Sequence, residues 1–248
     1  MTHAPELVHL AVQSGIATIT LDSPANRNAL SQRLRAELRD ALERSAGDDS
    51  VRVVVLDHTG PVFCAGIDLT EPPDAVKELP GILERIRTHP KPVVAKLAGH
   101  ARAGGIGLTA AADIAVAAHD ATFAFTEVRL GVVPAVISVT VLPRLLAHAA
   151  HELLLTGETF DATRAVAVGL LNSTVPAEQL DAEVDRYTGM LIRGAPEALA
   201  LTKQLLRAPP QDFTAMLELS ATRFASAEAQ EGIHAFTEKR SPSWIPTT

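Results

Sequence analysis

Cysteine is almost absent from this 248-residue chain: Cys64 stands alone. One thiol excludes an intrachain disulfide and any cysteine-rich metal site, and such usage fits a reducing cytoplasm. Aromatic residues are only 4% of the chain, so the core has to be built from Ala, Val and Leu. Excess positive charge is missing too. The net charge is −7 and no basic patch stands out, which argues against a nucleic-acid partner. No apolar run is long enough to span a bilayer: the small-residue stretch from Ala103 to Ala118 is broken by Asp113. The opening MTHAPELVHLAVQSG lacks a basic start followed by an apolar stretch, so no secretory signal is read there. No G-x-S-x-G occurs, which disfavours a serine thioesterase. The expectation is a soluble cytoplasmic protein without a membrane partner.

What is present suits a sizeable core. Apolar residues make up 47% and charged residues 21%, which allows one large α/β domain or a core with a small appendage. Residues 7–21 read as two strands joined at Ser14-Gly15. Leu30, Leu34, Leu38 and Leu42 recur every four residues and predict an amphipathic helix over 29–46, ended by Gly47. The β-branched run at 51–58 predicts a strand buried on both faces. A glycine- and proline-bearing loop follows. Residues 75–89 read as a helix interrupted at Pro80-Gly81, and 91–99 and 113–119 as strands. Alternation of strand and helix between 51 and about 120 implies parallel strands with crossover helices. From about residue 137 the chain reads as mostly helical.

The stretch GHARAGGIGLTAAADI (99–114) concentrates glycine, and it admits three readings. Gly105-x-Gly107-x-x-Ala110 matches a dinucleotide fingerprint, with Glu127 some twenty residues on. That fingerprint needs a strand running directly into the first glycine, whereas here His100 to Arg102 intervene and the following helix is short. The second reading is close helix packing, which suits Ala110 to Ala112 and explains Gly104-Gly105 poorly. The third is an anion site. A helix N-terminus presents unpaired N–H groups, and Ala65-Gly66, just after a buried strand, offers a second set of donors for an oxyanion.

Five segments then fall in order: SPANRNAL (23–30), VFCAGIDL (62–69), PVVAKLAGHARAGGIGLTAAADIAVA (92–117), FTEVRLGVVP (125–134) and EGIHAFTEKR (231–240). Together they resemble the crotonase (enoyl-CoA hydratase/isomerase) family over nearly the whole chain. The resemblance implies an α/β spiral of ββα repeats over 1–192 and a helical C-terminal trimerisation region over 193–248. It implies homotrimers or hexamers made as dimers of trimers. It implies an acyl-CoA thioester as substrate, coenzyme A being part of that substrate, with no separate cofactor and no metal. The thioester oxygen is expected to take hydrogen bonds from the backbone N–H groups of Ile67 and Gly104. Ala25, Arg27, Ala65, Asp68 and Leu69, with Gly105 and Gly107, are expected along the substrate. Ile67, Leu69, Val136, Ile137 and the helix around 75–86 are expected to shape the acyl pocket.

Hydratases of this family carry two glutamates, one after the glycine cluster and one in a "PE" or "TE" dipeptide. Here Thr126-Glu127 supplies the second, and Gly107 stands where the first belongs. Glu127 is the expected acid/base, since burial near an apolar pocket raises a carboxyl pKa. The bland alternative is a surface glutamate paired with Arg129. One carboxylate leaves two reactions open: water addition to a 2-enoyl-CoA, taken as the function, and Δ3-Δ2 isomerisation as the alternative. An acyl-CoA-binding protein with little turnover is a further alternative. His148 and His151 read as surface histidines and Cys64 as a buried filler. Asp68 reads as a loop-ordering residue or a second acid.

Overall fold

A computed structural model of the chain describes residues 5–208 and 212–246. The first four residues of the opening segment and the last two of the 193–248 region lie outside them.

The chain opens as a hairpin, β1 (Val8–Gln13) and β2 (Ile16–Leu21), paired antiparallel across Ser14-Gly15. The helix α1 (Gln32–Gly47) follows, capped by Ser31, whose hydroxyl accepts from the Leu34 N–H. Leu34, Leu38 and Leu42 are fully buried, as the four-residue spacing requires, and each contributes about 1.5–3 kcal/mol by burial.

Three turns of one pattern come next. Each sends a strand into a large sheet, then a short strand into a small sheet, then a helix back across. The first is β3 (Val53–His58), β4 (Val62–Cys64) and α2 (Leu79–Thr88). The second is β5 (Val93–Leu97), β6 (His100–Arg102) and α3 (Gly104–Ala111). The third is β7 (Ile114–Ala118), β8 (Thr122–Ala124) and α4 (Ala135–Val141). The helices α5 (Ala147–Thr156) and α6 (Ala162–Ala167) then bracket β9 (Thr159–Asp161), and β10 (Ser173–Val175) returns to the large sheet. The sheets run β1-β2-β3-β5-β7-β10 and β4-β6-β8-β9. From β2 to β10 the large sheet is parallel. This is the expected ββα spiral.

The parallel strands bury both faces because both are covered. Val54, Leu56 and Ala95 join the main core with α1 and α2. Val53, Val55 and Val94 face Leu180 and Val184 of α7 (Leu180–Ile192). The helices α8 (Pro196–Arg207), α9 (Phe213–Phe224) and α10 (Ala227–Thr237) complete the C-terminal region. Phe213 and Phe236 there are 94% and 84% exposed. No helix among the described residues is long and apolar enough to cross a membrane.

Two local readings are corrected. Pro80 does not interrupt a helix; it lies in the first turn of α2, where an N–H has no intrahelical acceptor and its loss costs nothing. A 3-10 turn over Pro73–Glu78 leads in. His100 to Arg102 are not a spacer but the strand β6. The chain beyond 137 is mostly helical, as read, with β9 and β10 taking three residues each.

Candidate active site

The site is assembled where the small sheet's strands end. β4 stops at Cys64, and Gly66 turns the chain with φ at +92°, a conformation that favours glycine. A methyl group on Gly66 would lie 3.0 Å from the Ala103 Cβ and 3.2 Å from the Gly104 nitrogen. The Ala65–Ile67 turn and the start of α3 are therefore in direct contact. Ala103, the residue before α3, has φ 46° and ψ −117°. Such a conformation in a non-glycine residue costs on the order of 1–3 kcal/mol and is held by its surroundings. Here β8 holds it, with the Ala103 N–H donating to Ala124 O at 3.2 Å. Gly104 then opens α3, where an N–H has no intrahelical acceptor. Among the described residues, neither the Ile67 nor the Gly104 N–H donates to a protein acceptor. Two free donors on touching loops are what an oxyanion needs.

The turn at 24–30 braces this arrangement. The Leu30 N–H donates to Gly66 O at 2.7 Å, and the Ala65 N–H donates to Arg27 O at 3.1 Å. Asn28, fully buried, donates to the carbonyls of Thr59 and Val62 at 3.0 and 2.8 Å.

A cavity of about 500 Å3 opens beside the two donors. Ala65, Ile67, Asp68, Leu69, Gly104 and Glu127 line it, so six of the expected site residues are brought together. Val136, Ile137, Val76 and Leu79 complete the expected apolar wall. Glu127 begins a 3-10 turn, Glu127–Leu130, directly after β8. Its carbonyl accepts from the Val132 N–H at 3.0 Å. Its Oε2 is buried without a hydrogen-bond partner, and burial pushes its carboxyl pKa above the usual glutamate range. Arg129 is not its partner: that Nε donates to Thr156 O at 3.4 Å.

The other expected residues lie elsewhere. Gly105 and Gly107 are not on the cavity wall; both serve packing. A methyl on Gly105 would meet Cys64 O at 2.3 Å, so glycine lets α3 press against β4. A methyl on Gly107 would meet Ile137 Cγ2 at 2.7 Å and Ile137 Cβ at 3.2 Å. The place of a second glutamate is thus filled by a branched apolar side chain. Ala25 and Arg27 are exposed on the bracing turn, outside the wall. Asp68 accepts from the Thr70 N–H and hydroxyl at 3.0 and 2.7 Å. These bonds hold its carboxyl below the usual range, so it orders the loop and is ill suited to donate a proton. Cys64 is buried, and burial pushes its thiol up to about 12. His148 and His151 are exposed, and the described residues hold no cluster placed for a metal ion.

Sequence reasoning missed Pro72, Pro73, Thr126, Leu130, Val132 and Val133, which also line the cavity. The consecutive valines before Pro134 were the available signal, since exposed apolar residues in a loop rarely lack a partner or ligand. The dinucleotide reading loses one objection, because β6 does lead into the glycines. It keeps the other, because α3 has only eight residues.

Comparison with known proteins places nearly the whole chain in one family. The family model described as enoyl-CoA hydratase/isomerase matches residues 11–246. Enoyl-CoA hydratase domain-containing protein 3, mitochondrial, of Mus musculus is 35% identical, over 97% of this chain and 85% of its own. The crystal structure of an enoyl-CoA hydratase from Mycobacterium avium is 43% identical with a TM-score of 0.78, covering 97% of this chain and 100% of that one. That of an enoyl-CoA hydratase from Shewanella pealeana is 30% identical with a TM-score of 0.90, covering 96% of each.

Proposed function

This chain belongs to the enoyl-CoA hydratase/isomerase family, and from that premise we propose that it is an enoyl-CoA hydratase working with a single carboxylate. The observation that carries the reading is Glu127, a half-buried side chain whose Oε2 is buried without a partner, on the same cavity as two unpaired backbone donors. The thioester oxygen of a 2-enoyl-CoA takes hydrogen bonds from the Ile67 and Gly104 N–H groups. Ionised Glu127 removes a proton from water as the water oxygen bonds to C3. The C2=C3 electron pair moves toward the thioester, forming an enolate whose charge rests on the two donors. Protonated Glu127 then delivers its proton to C2 and is ionised again. Atoms and charge balance over the cycle with no cofactor beyond the thioester itself. The apolar wall raises the carboxyl's pKa and so improves it as a proton carrier.

Isomerisation of a 3-enoyl-CoA is the second reading, and Ile137 favours it. With the Gly107 position sealed, and with Asp68 and Glu71 on the cavity wall engaged by Thr70 and by Arg35 and Gln32, Glu127 is left to move the proton alone, and moving a proton from C2 to C4 needs only one carboxylate. Retention of Glu127 and both donors argues against a mere acyl-CoA binder. The discriminating experiment is a panel of 2-enoyl and 3-enoyl thioesters followed by loss or gain of conjugation. Loss from 2-enoyl substrates supports the hydratase, gain from 3-enoyl substrates the isomerase, and neither the binder.

The exposed turn carrying Ala25 and Arg27 is suited to the coenzyme A arm, with Arg27 available to its phosphates. Exposed Phe213, Phe236 and Leu217 on α9 and α10 support a role for 193–248 in a trimer or a dimer of trimers. A cytoplasmic location rests on the lone, buried cysteine. The mouse relative's name places that protein in mitochondria.

A further inference from the structure

We infer that Arg35 is a positioning residue for the reaction, clamping the wall of the acyl pocket to the loop that carries the Ile67 donor. The inference rests on the oxyanion reading above. Arg35 stands on α1, outside the cavity, and its side chain is 2% exposed. A cation buried to that degree needs several acceptors to offset its lost hydration. Arg35 finds three, on two different segments. Nη1 donates to the Leu30 carbonyl and to Glu71 Oε2 at 3.2 Å. Nε donates to Glu78 Oε2 at 3.4 Å.

The two directions lead to the two halves of the site. Leu30 donates its N–H to Gly66 O at 2.7 Å and forms a parallel bridge with Ile67. A methyl on Gly104 would lie 3.3 Å from Leu30 Cδ1 and 3.6 Å from Leu79 Cδ2, so these two side chains also press on the second donor. On the other side, Glu71 and Glu78 bracket the segment whose Pro72, Pro73 and Val76 form the cavity wall. Glu71 is fixed further by the Gln32 N–H, at 2.6 Å from its Oε1. One guanidinium thus ties the wall that meets the acyl chain to the turn that meets the thioester oxygen. Only a planar fork with several donors reaches all three acceptors; a lysine presents a single point charge.

The test compares wild type with Arg35→Met and Arg35→Lys. Three readouts are needed: circular dichroism for folding, kcat and KM with the enoyl-CoA that the protein turns over, and the infrared shift of the thioester carbonyl on binding butyryl-CoA labelled with 13C at that carbon. The expected result for Arg35→Met is a folded protein with KM changed by less than about threefold and kcat lowered by about ten- to a hundredfold, the scale for misplacing a reacting group by about 1 Å. The carbonyl shift shrinks with it, and Arg35→Lys recovers part of both. If Arg35→Met does not fold, Glu78→Gln loosens the same clamp from a half-exposed position and should move kcat and the carbonyl shift in the same direction. A folded Arg35 or Glu78 variant that melts earlier yet keeps the full carbonyl shift and kcat overturns the inference. A wild-type protein that binds butyryl-CoA with no carbonyl shift overturns the oxyanion reading itself, and this inference with it.

Discussion

Among the described residues, a cavity of about 570 Å3 on the α7 face of the large sheet is nearly equal in size to the one of about 500 Å3 beside α3. In the larger, Lys96 stands between Asp57 at 3.0 Å and Asp181 at 2.6 Å. Its one lysine is paired with two carboxylates, and the third carboxylate on the wall, Asp185, is exposed to solvent. In the smaller, Glu127 Oε2 has no partner and two backbone donors have no acceptor. Leaving polar groups unpaired near an apolar wall costs stability, as burying a polar group without a hydrogen bond does. Volume does not separate the two sites; unmet hydrogen-bonding capacity does.

The difference can be broken at its sharpest point with Glu127→Gln. Turnover should fall by about 10²–10⁴-fold, the usual scale for a general acid/base, while acyl-CoA binding measured by calorimetry persists. The same variant tests the linkage. The folded-state pKa of Glu127 is raised, so the stability tied to its protonated form is present below the unfolded pKa and is lost as pH rises through the folded value. Glu127→Gln should therefore melt above wild type at neutral pH, and the gap should close toward about pH 4. In the wild type, activity should decline on the acid side through an apparent pKa above the ordinary glutamate value, as the base becomes protonated.

Gly107→Glu asks whether the missing second acid can be restored. Its Cβ would lie 2.7 Å from Ile137 Cγ2, and overpacking of this kind costs about 1–3 kcal/mol. Chemical denaturation should show that loss, and the added substitution Ile137→Ala should recover part of it.

The smallest effect belongs to the larger cavity. Lys96→Met should lower stability by about 1 kcal/mol through the unpaired Asp57 and leave kcat and KM unchanged. A fall in turnover there would erase the distinction between the two cavities.

How far the sequence announced this molecule follows from the length of its signals. Leu30 to Leu42 span a whole helix, and Val53 to Leu56 sit in a sheet covered on both sides, so both patterns are written over many residues. The small sheet is made of strands of three residues each, too short for an alternation to show. The site was legible where backbone geometry demands particular residues. Gly66 and Gly104 stand out because glycine marks the turn and the helix start, whereas Glu127 was picked out through the resemblance of its Thr126-Glu127 dipeptide to the family's motif. The roles of Gly105 and Gly107 were not legible, since only the positions of Cys64 and Ile137 decide that those glycines serve contact. Arg35 was hidden for the same reason: an arginine on an amphipathic helix reads as solvated until Glu71 and Glu78 fold over it.

The central claim is that the smaller cavity stabilises a thioester enolate, with Glu127 moving the proton. It is tested most directly by incubating a saturated acyl-CoA with the protein in deuterium oxide and following its C2 hydrogens by NMR. Enolate formation alone brings exchange, whichever reaction follows. The account predicts exchange at C2 with the wild type and none above background with Glu127→Gln. Equal exchange in both, or none in either while the thioester is bound, would contradict it.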